Sequence, residues 1–172
     1  MRLHFLALNA LLLAAVPATA ADVGISIAIP RIDASEYHRP YVAVWIEKPD
    51  QSVVANLAVW YMQKDTQEGA GTKWLADLRQ WWRRSGRDQA MPIDGVSGAT
   101  RPAGQHQLRF DAAKPPMSTL AAGRYNLVVE AVREVGGREL VRLAFDWPIV
   151  ATAQAKAVGE HELGAITLDL NP

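Results

Sequence analysis

The stretch from Arg124 to Ile149, RYNLVVEAVREVGGRELVRLAFDWPI, constrains the fold more than any other part of the chain. Apolar and polar residues alternate on both sides of Gly136-Gly137, a period of two that fits strands rather than a helix. The glycine pair is expected to supply the positive φ of a tight hairpin turn. Glu130 and Glu134 fall on this hairpin and are expected to face solvent.

The same period recurs elsewhere. In VGISIAIP, Val23, Ile25, Ile27 and Ile29 form one apolar face. YVAVWIEKPD alternates Val42, Val44 and Ile46 against Tyr41, Ala43 and Trp45, and ends in a Lys-Pro-Asp turn. VVANLAVWYMQ is expected to return as a hairpin partner, with Leu57, Val59 and Tyr61 on one face. HQLRFD and ELGAITLDL read as further strands, while AAKPPMSTLAAG and TAQAKAVGEH read as connections.

One segment breaks the pattern. In TKWLADLRQWWRRSG, Trp74, Leu75, Leu78, Trp81 and Trp82 recur at spacings of three and four, which predicts an amphipathic helix with Thr72 as N-cap and Gly86 as its stop. Short strands separated by turns, with one inserted helix, predict an all-β, mainly antiparallel fold: an immunoglobulin-like β-sandwich. A closed barrel is the alternative.

The first twenty residues stand apart. Arg2 and His4 precede an apolar run that ends in Ala18-Thr19-Ala20, the pattern of a secretory signal peptide cleaved after Ala20. The run is short for a bilayer span and no second one follows. A single exported domain over residues 21–172, periplasmic and not embedded in the membrane, is the expectation. With 18 basic and 18 acidic side chains the charge is balanced, which argues against nucleic acid as a partner. The absence of cysteine excludes disulfides, thiolate catalysis and cysteine-based metal sites.

His38, His106 and His161 have no metal-ligand spacing, so no metal site is expected. There is no GxGxxG after a strand and no Walker loop. Ser97 lacks the frame of a nucleophile elbow, and nothing assembles a hydrolase.

The chemistry lies between the two halves, in DGVSGATRPAG. Turn formation accounts for Asp94, Gly95 and Gly98. It does not account for the unhindered run Gly98-Ala99-Thr100, which offers a hydroxyl on an exposed, flexible approach. Asp94-Gly95-Val96-Ser97-Gly98-Ala99-Thr100 resembles the Asp-x-x-(Ser/Thr)-Gly-Ala-(Thr/Ser) signature of substrates of FAD:protein FMN transferases. By average residue usage its five fixed positions should coincide in roughly one chain in a thousand of this length or fewer. The resemblance implies covalent FMN on Thr100, joined through a phosphoester by a magnesium-dependent transferase acting outside the cytoplasm. It gives Asp94 a positioning or docking part, lets Gly95, Ser97 and Gly98 shape the backbone, and leaves Ala99 as the unobstructed neighbour. Arg101 either pairs with the tethered phosphate or is an exposed loop charge.

A second resemblance covers nearly all of the exported chain. Trp74-Leu75 with Leu78 and Trp81, then Asp94 to Gly104, then AGRYNLVVEAVREVGG are similar to a family of predicted periplasmic proteins. Members tend to be encoded near such transferases and near PepSY-type membrane proteins that resemble iron reductases. The resemblance implies an electron carrier, itself a substrate of the transferase rather than an enzyme, without the membrane anchor of better-known flavin carriers. Trp74, Trp81 and Trp82 either cover a face of the flavin or belong to the core, and Arg79, Arg83, Arg84 and Arg87 either dock an acidic redox partner or form a solvated helix face. The other open reading is a cofactor-free immunoglobulin-like module that binds an envelope partner, for which the sandwich pattern alone would suffice.

Overall fold

The structure is a computed structural model that describes residues 21–65 and 69–172. The expected signal peptide lies outside the described residues. Among the described residues nine strands form two sheets: β1 (Asp22–Ile29), β2 (Tyr41–Glu47), β3 (Val53–Tyr61), β4 (Ser97–Ala99), β5 (Gly104–Asp111), β6 (Gly123–Val132), β7 (Arg138–Trp147), β8 (Ala153–Val158) and β9 (Ala165–Asn171). One sheet has the order β5-β1-β9-β8 and the other β4-β3-β2-β6-β7. All pairings are antiparallel except β3 with β4. The chain is a β-sandwich with a small helical insertion.

The core between the sheets takes the faces the alternation marks. Val23, Ile25, Ile27 and Ile29 of β1 meet Val42, Val44 and Ile46 of β2, with Leu127, Val129 and Ala131 of β6 and Ile166, Leu168 and Leu170 of β9. The opposite face of the five-stranded sheet is covered too. Tyr41, Ala43, Trp45, Val59, Tyr61 and Val128 pack beneath Leu75, Leu78 and Trp81 of the insertion. Strand β2 is therefore buried at every position, which is why both of its alternating faces are apolar.

The insertion departs from the expected helix. A 3₁₀ segment, Gly71–Asp77, breaks at Leu78, and α1 runs only over Arg79–Arg84. Thr72 is not a cap: it lies inside the first segment, and neither segment has a side-chain cap at its N-terminus. Packing on the sheet dictates this path. A Cβ at Gly71 would lie 1.9 Å from the Met62 carbonyl oxygen, so only glycine lets the insertion start this close to the end of β3.

Five other expectations are corrected. Leu57 does not share a face with Val59 and Tyr61, because the β2–β3 register shifts between Val44 and Trp45 and turns Leu57 to the inter-sheet core. The polar-looking Ala153–Val158 is an edge strand, and Ser97–Ala99, expected in a flexible loop, is another. At the hairpin tip the positive φ belongs to Val135, at 53°, and to neither glycine. Glu130, expected in solvent, is fully buried. Alternation assigns Glu130 to the outer face of the sheet correctly, but the insertion covers that face.

Candidate functional site

The signature forms a turn that leads into an edge strand. Val96 N–H donates to the Ile93 carbonyl at 3.2 Å, and Gly95, at φ +68°, occupies the third position of that turn. Ser97 secures it from both sides, its N–H donating to Ile93 O and its hydroxyl accepting the Ile93 N–H, each at 2.9 Å. Ser97, Gly98 and Ala99 then pair with Val59, Trp60 and Tyr61, and Thr100 N–H closes the ladder on Tyr61 O at 3.2 Å. Gly98 packs closely on Trp60: a Cβ there would come to 3.2 Å from the ring, tighter than an ordinary contact. Asp94 and Ala99 are exposed.

Thr100 leaves this strand at one end of the five-stranded sheet. The start of β2, the ends of β3, β4 and β6, and the start of β7 meet there. Between them lies a cavity of about 570 Å³. Thr100 is part of its wall, together with Tyr41 from the sheet, Met62 just past β3, Trp74, Asp77 and Arg79 from the insertion, and the β6–β7 tip from Val132 to Arg138. The Thr100 hydroxyl has no hydrogen-bond partner among the described residues. Its size falls within the range of small-molecule and cofactor sites.

The walls have two characters. Tyr41 and Trp74 supply aromatic surface. The Tyr41 hydroxyl donates to Gly71 O at 3.1 Å, and burial pushes its phenol above the ordinary range. The other walls carry His38, Arg39, Arg79, Arg133 and Arg138 against Asp77 and Glu134. His38 sits between Glu36 and Glu134 at 3.0 and 3.4 Å. Arg138 bonds Glu130 at 3.1 Å, while Arg39 and Arg79 enter no ion pair among the described residues.

Arg133 is held most firmly. Its side chain is 7% exposed and grips Glu162 through Nε at 3.0 Å and Nη2 at 3.2 Å. Glu162 also accepts the Gly137 N–H at 2.7 Å. The two glycines of the hairpin make room for this pair: a Cβ at Gly136 would meet the Arg133 guanidinium at 2.6 Å, and one at Gly137 would meet Glu162 at 3.0 Å. Nη1 of Arg133 is buried without a hydrogen-bond partner among the described residues.

The structure thus brings Thr100 and Trp74 to one cavity and separates other residues from it. Trp81 is fully buried in the outer core, its Nε1 donating to Asn56 at 2.9 Å, and does not line the cavity. Of the two readings open for Trp81, flavin cover or core, the structure places it in the core, where its indole fills the space between α1 and the sheet. Arg101 lies over the Trp60 ring at 5.3 Å and is not part of the cavity wall. Of the basic cluster only Arg79 reaches the cavity, and Arg84 is occupied by Gln51. Tyr41, Arg133 and the Val135 turn were missed as site residues. The one sequence signal for them is the paired glycine beside an Arg on an otherwise apolar strand face. Among the described residues no cluster of three or more His, Asp or Glu is placed to hold a metal, and no helix is long and apolar enough to cross a membrane.

A protein-family model described as a predicted periplasmic protein (DUF2271) matches residues 22–165. No curated protein and no solved structure matches the chain.

Proposed function

The chain belongs to the DUF2271 family of predicted periplasmic proteins, and we propose that it is an electron-transfer protein carrying FMN esterified to Thr100. The observation that carries this reading is the position of Thr100. The residue that closes the transferase signature is also a wall of an aromatic and cationic cavity large enough for a cofactor.

Attachment conserves atoms simply. The Thr100 hydroxyl oxygen bonds to the FMN phosphorus of FAD, the pyrophosphate link breaks and AMP departs. The hydroxyl proton passes to a base of the transferase, with magnesium bound there rather than on this chain. Edge placement of β4 supports access, since its outer side is unpaired and can lie as an added strand in the transferase. Gly98 and the exposed Ala99 keep that approach free of bulk. Once bound, the isoalloxazine supplies the electron chemistry, and the protein supplies position and electrostatics. Tyr41 and Trp74 offer ring contacts, while Arg39 and Arg79 offer charge to the phosphate. The matching redox partner is a membrane reductase of the PepSY type.

Coexpression with a transferase, export and intact-mass measurement test the reading. One added FMN is expected, lost in Thr100→Ala. A colourless wild-type protein of unmodified mass would overturn it and leave a β-sandwich interaction module.

A further inference from the structure

Arg101, the residue after Thr100, is held differently from the other arginines of its sheet. Its guanidinium carbon lies 5.3 Å from the centroid of the Trp60 ring, and Nη2 lies 4.0 Å from where a Cβ on Gly98 would stand. The arginines of the β6–β7 hairpin are committed to carboxylates: Arg133 to Glu162, Arg138 to Glu130 and Arg142 to Glu47. Arg101 enters no ion pair or hydrogen bond among the described residues. An aromatic face attracts a guanidinium without consuming its N–H donors, so all of them stay available to a ligand. The platform beneath is fixed. Trp60 is buried, the His106 ring meets it edge-on at 5.7 Å, and His106 Nε2 donates to the Pro102 carbonyl at 2.8 Å. Pro102 in turn favours extended backbone at Arg101.

A fixed, exposed cation with free donors therefore stands next to the acceptor, and it is not part of the cavity wall. The stored cofactor has Arg39 and Arg79 for its phosphate, which leaves Arg101 to the outside. A planar guanidinium matches the paired oxygens of a phosphate group. The anion brought to Thr100 from outside is the pyrophosphate of FAD. We propose that Arg101 is a recognition residue for the transfer itself: in the complex with the transferase, its guanidinium binds the FAD pyrophosphate from the acceptor side. The proposal rests on reading Thr100 as the FMN acceptor. In that step the bond from Thr100 Oγ to the FMN phosphorus forms while the bond from that phosphorus to the bridging oxygen breaks. AMP leaves with the bridging oxygen, and the hydroxyl proton goes to a base of the transferase. Negative charge grows on the departing AMP phosphate, where a positioned guanidinium stabilises it.

The test combines the full exported chain with purified transferase, magnesium and FAD, and follows FMN incorporation by intact mass over time. Arg101→Met keeps an apolar cover on Trp60 and removes the charge, whereas Arg101→Lys keeps the charge. With FAD and protein both saturating, Arg101→Met should lower kcat about ten- to hundredfold, the loss expected for hydrogen bonding to a charged group. Arg101→Lys should retain most of the rate. Both variants should unfold thermally close to wild type, since the residue is exposed. Arg101→Met protein loaded by prolonged reaction should show the wild-type flavin spectrum, because Arg101 is not part of the cavity wall. Equal kcat in wild type and Arg101→Met would overturn the proposal. A loss in Arg101→Lys as deep as in Arg101→Met would also overturn it, because charge would then not be what acts. So would a loss confined to the KM for the protein, which would place Arg101 against the transferase surface instead of the pyrophosphate. Wild type that gains no FMN at all sinks the ester on Thr100, whereas wild type and both variants gaining it at one rate sinks this inference alone.

Discussion

Glu130 accepts the backbone N–H of Trp81 at 2.8 Å and of Gln80 at 3.1 Å, from a strand fifty residues further along the chain. The residue before α1, Leu78, has no side-chain cap to offer, so a buried carboxylate on β6 does that work from across the interface. The same carboxylate holds Arg138 at the edge of the cavity. Glu130→Ala should therefore cost about 3 kcal/mol, as expected when a buried, hydrogen-bonded charge is removed. Urea unfolding measures this. A loss below about 1 kcal/mol would show that the insertion is held by its apolar contacts alone.

Val135 lies at φ 53° in the β6–β7 turn, a region that β-branched residues enter only at a cost of about 1–2 kcal/mol. The turn bends this way with Gly136 and Gly137 packed against the Arg133–Glu162 pair. Val135→Asn keeps a side chain and tolerates positive φ, so it should raise stability by roughly 0.5–1 kcal/mol. The residue is 77% exposed, so little packing is lost in exchange. Thermal unfolding checks the sign.

Much of this architecture was legible in the sequence, and the misses share a cause. Alternation placed Val23 to Ile29, both faces of β2 and the β6–β7 hairpin correctly, because period two follows directly from strand geometry. It could not report which faces another element covers. Glu130 thus passed for a surface residue, and Trp81 remained open between core and cofactor. The glycines at 136 and 137 do not carry the positive φ expected of them; they make room for a buried ion pair instead. Thr100 stood out through a motif. Its cavity could not, since Tyr41, Trp74 and Arg133 come together only through sheet register and the path of the insertion.

Glu139 gives the fold a pH dependence of definite sign. Burial opposes its ionisation, but the backbone N–H groups of Glu160, His161, Glu162 and Leu163 all donate to its carboxylate and hold its pKa below the ordinary value. A depressed carboxylate stabilises the fold above its unfolded pKa, and that contribution fades as pH falls through the folded value. Wild type should thus lose more stability than Glu139→Gln between about pH 7 and about pH 3, seen as a larger drop in urea midpoint. Equal slopes would mean that this loop is held without the charge. Because Glu162 lies in the same loop, the variant should also loosen Arg133.

The tryptophans separate core from site most cleanly. Trp81 is fully buried and hydrogen-bonded to Asn56, and the indole packs so closely on Gly86 that a Cβ there would meet it at 2.5 Å. Trp81→Ala should cost about 3–5 kcal/mol, the range for deleting a large core aromatic. Trp74 is only half-buried, lines the cavity and has the Lys73 ammonium 4.3 Å from its ring centroid. Trp74→Ala should cost less, about 2–3 kcal/mol, because part of its ring borders the open cavity. The optical readout reverses the order. In flavin-loaded protein, Trp74→Ala should restore much of the cofactor's fluorescence, whereas Trp81→Phe, folded at low temperature, should leave it quenched. If instead Trp81→Phe released the quenching and Trp74→Ala did not, the ring would lie somewhere other than the cavity that Thr100 lines.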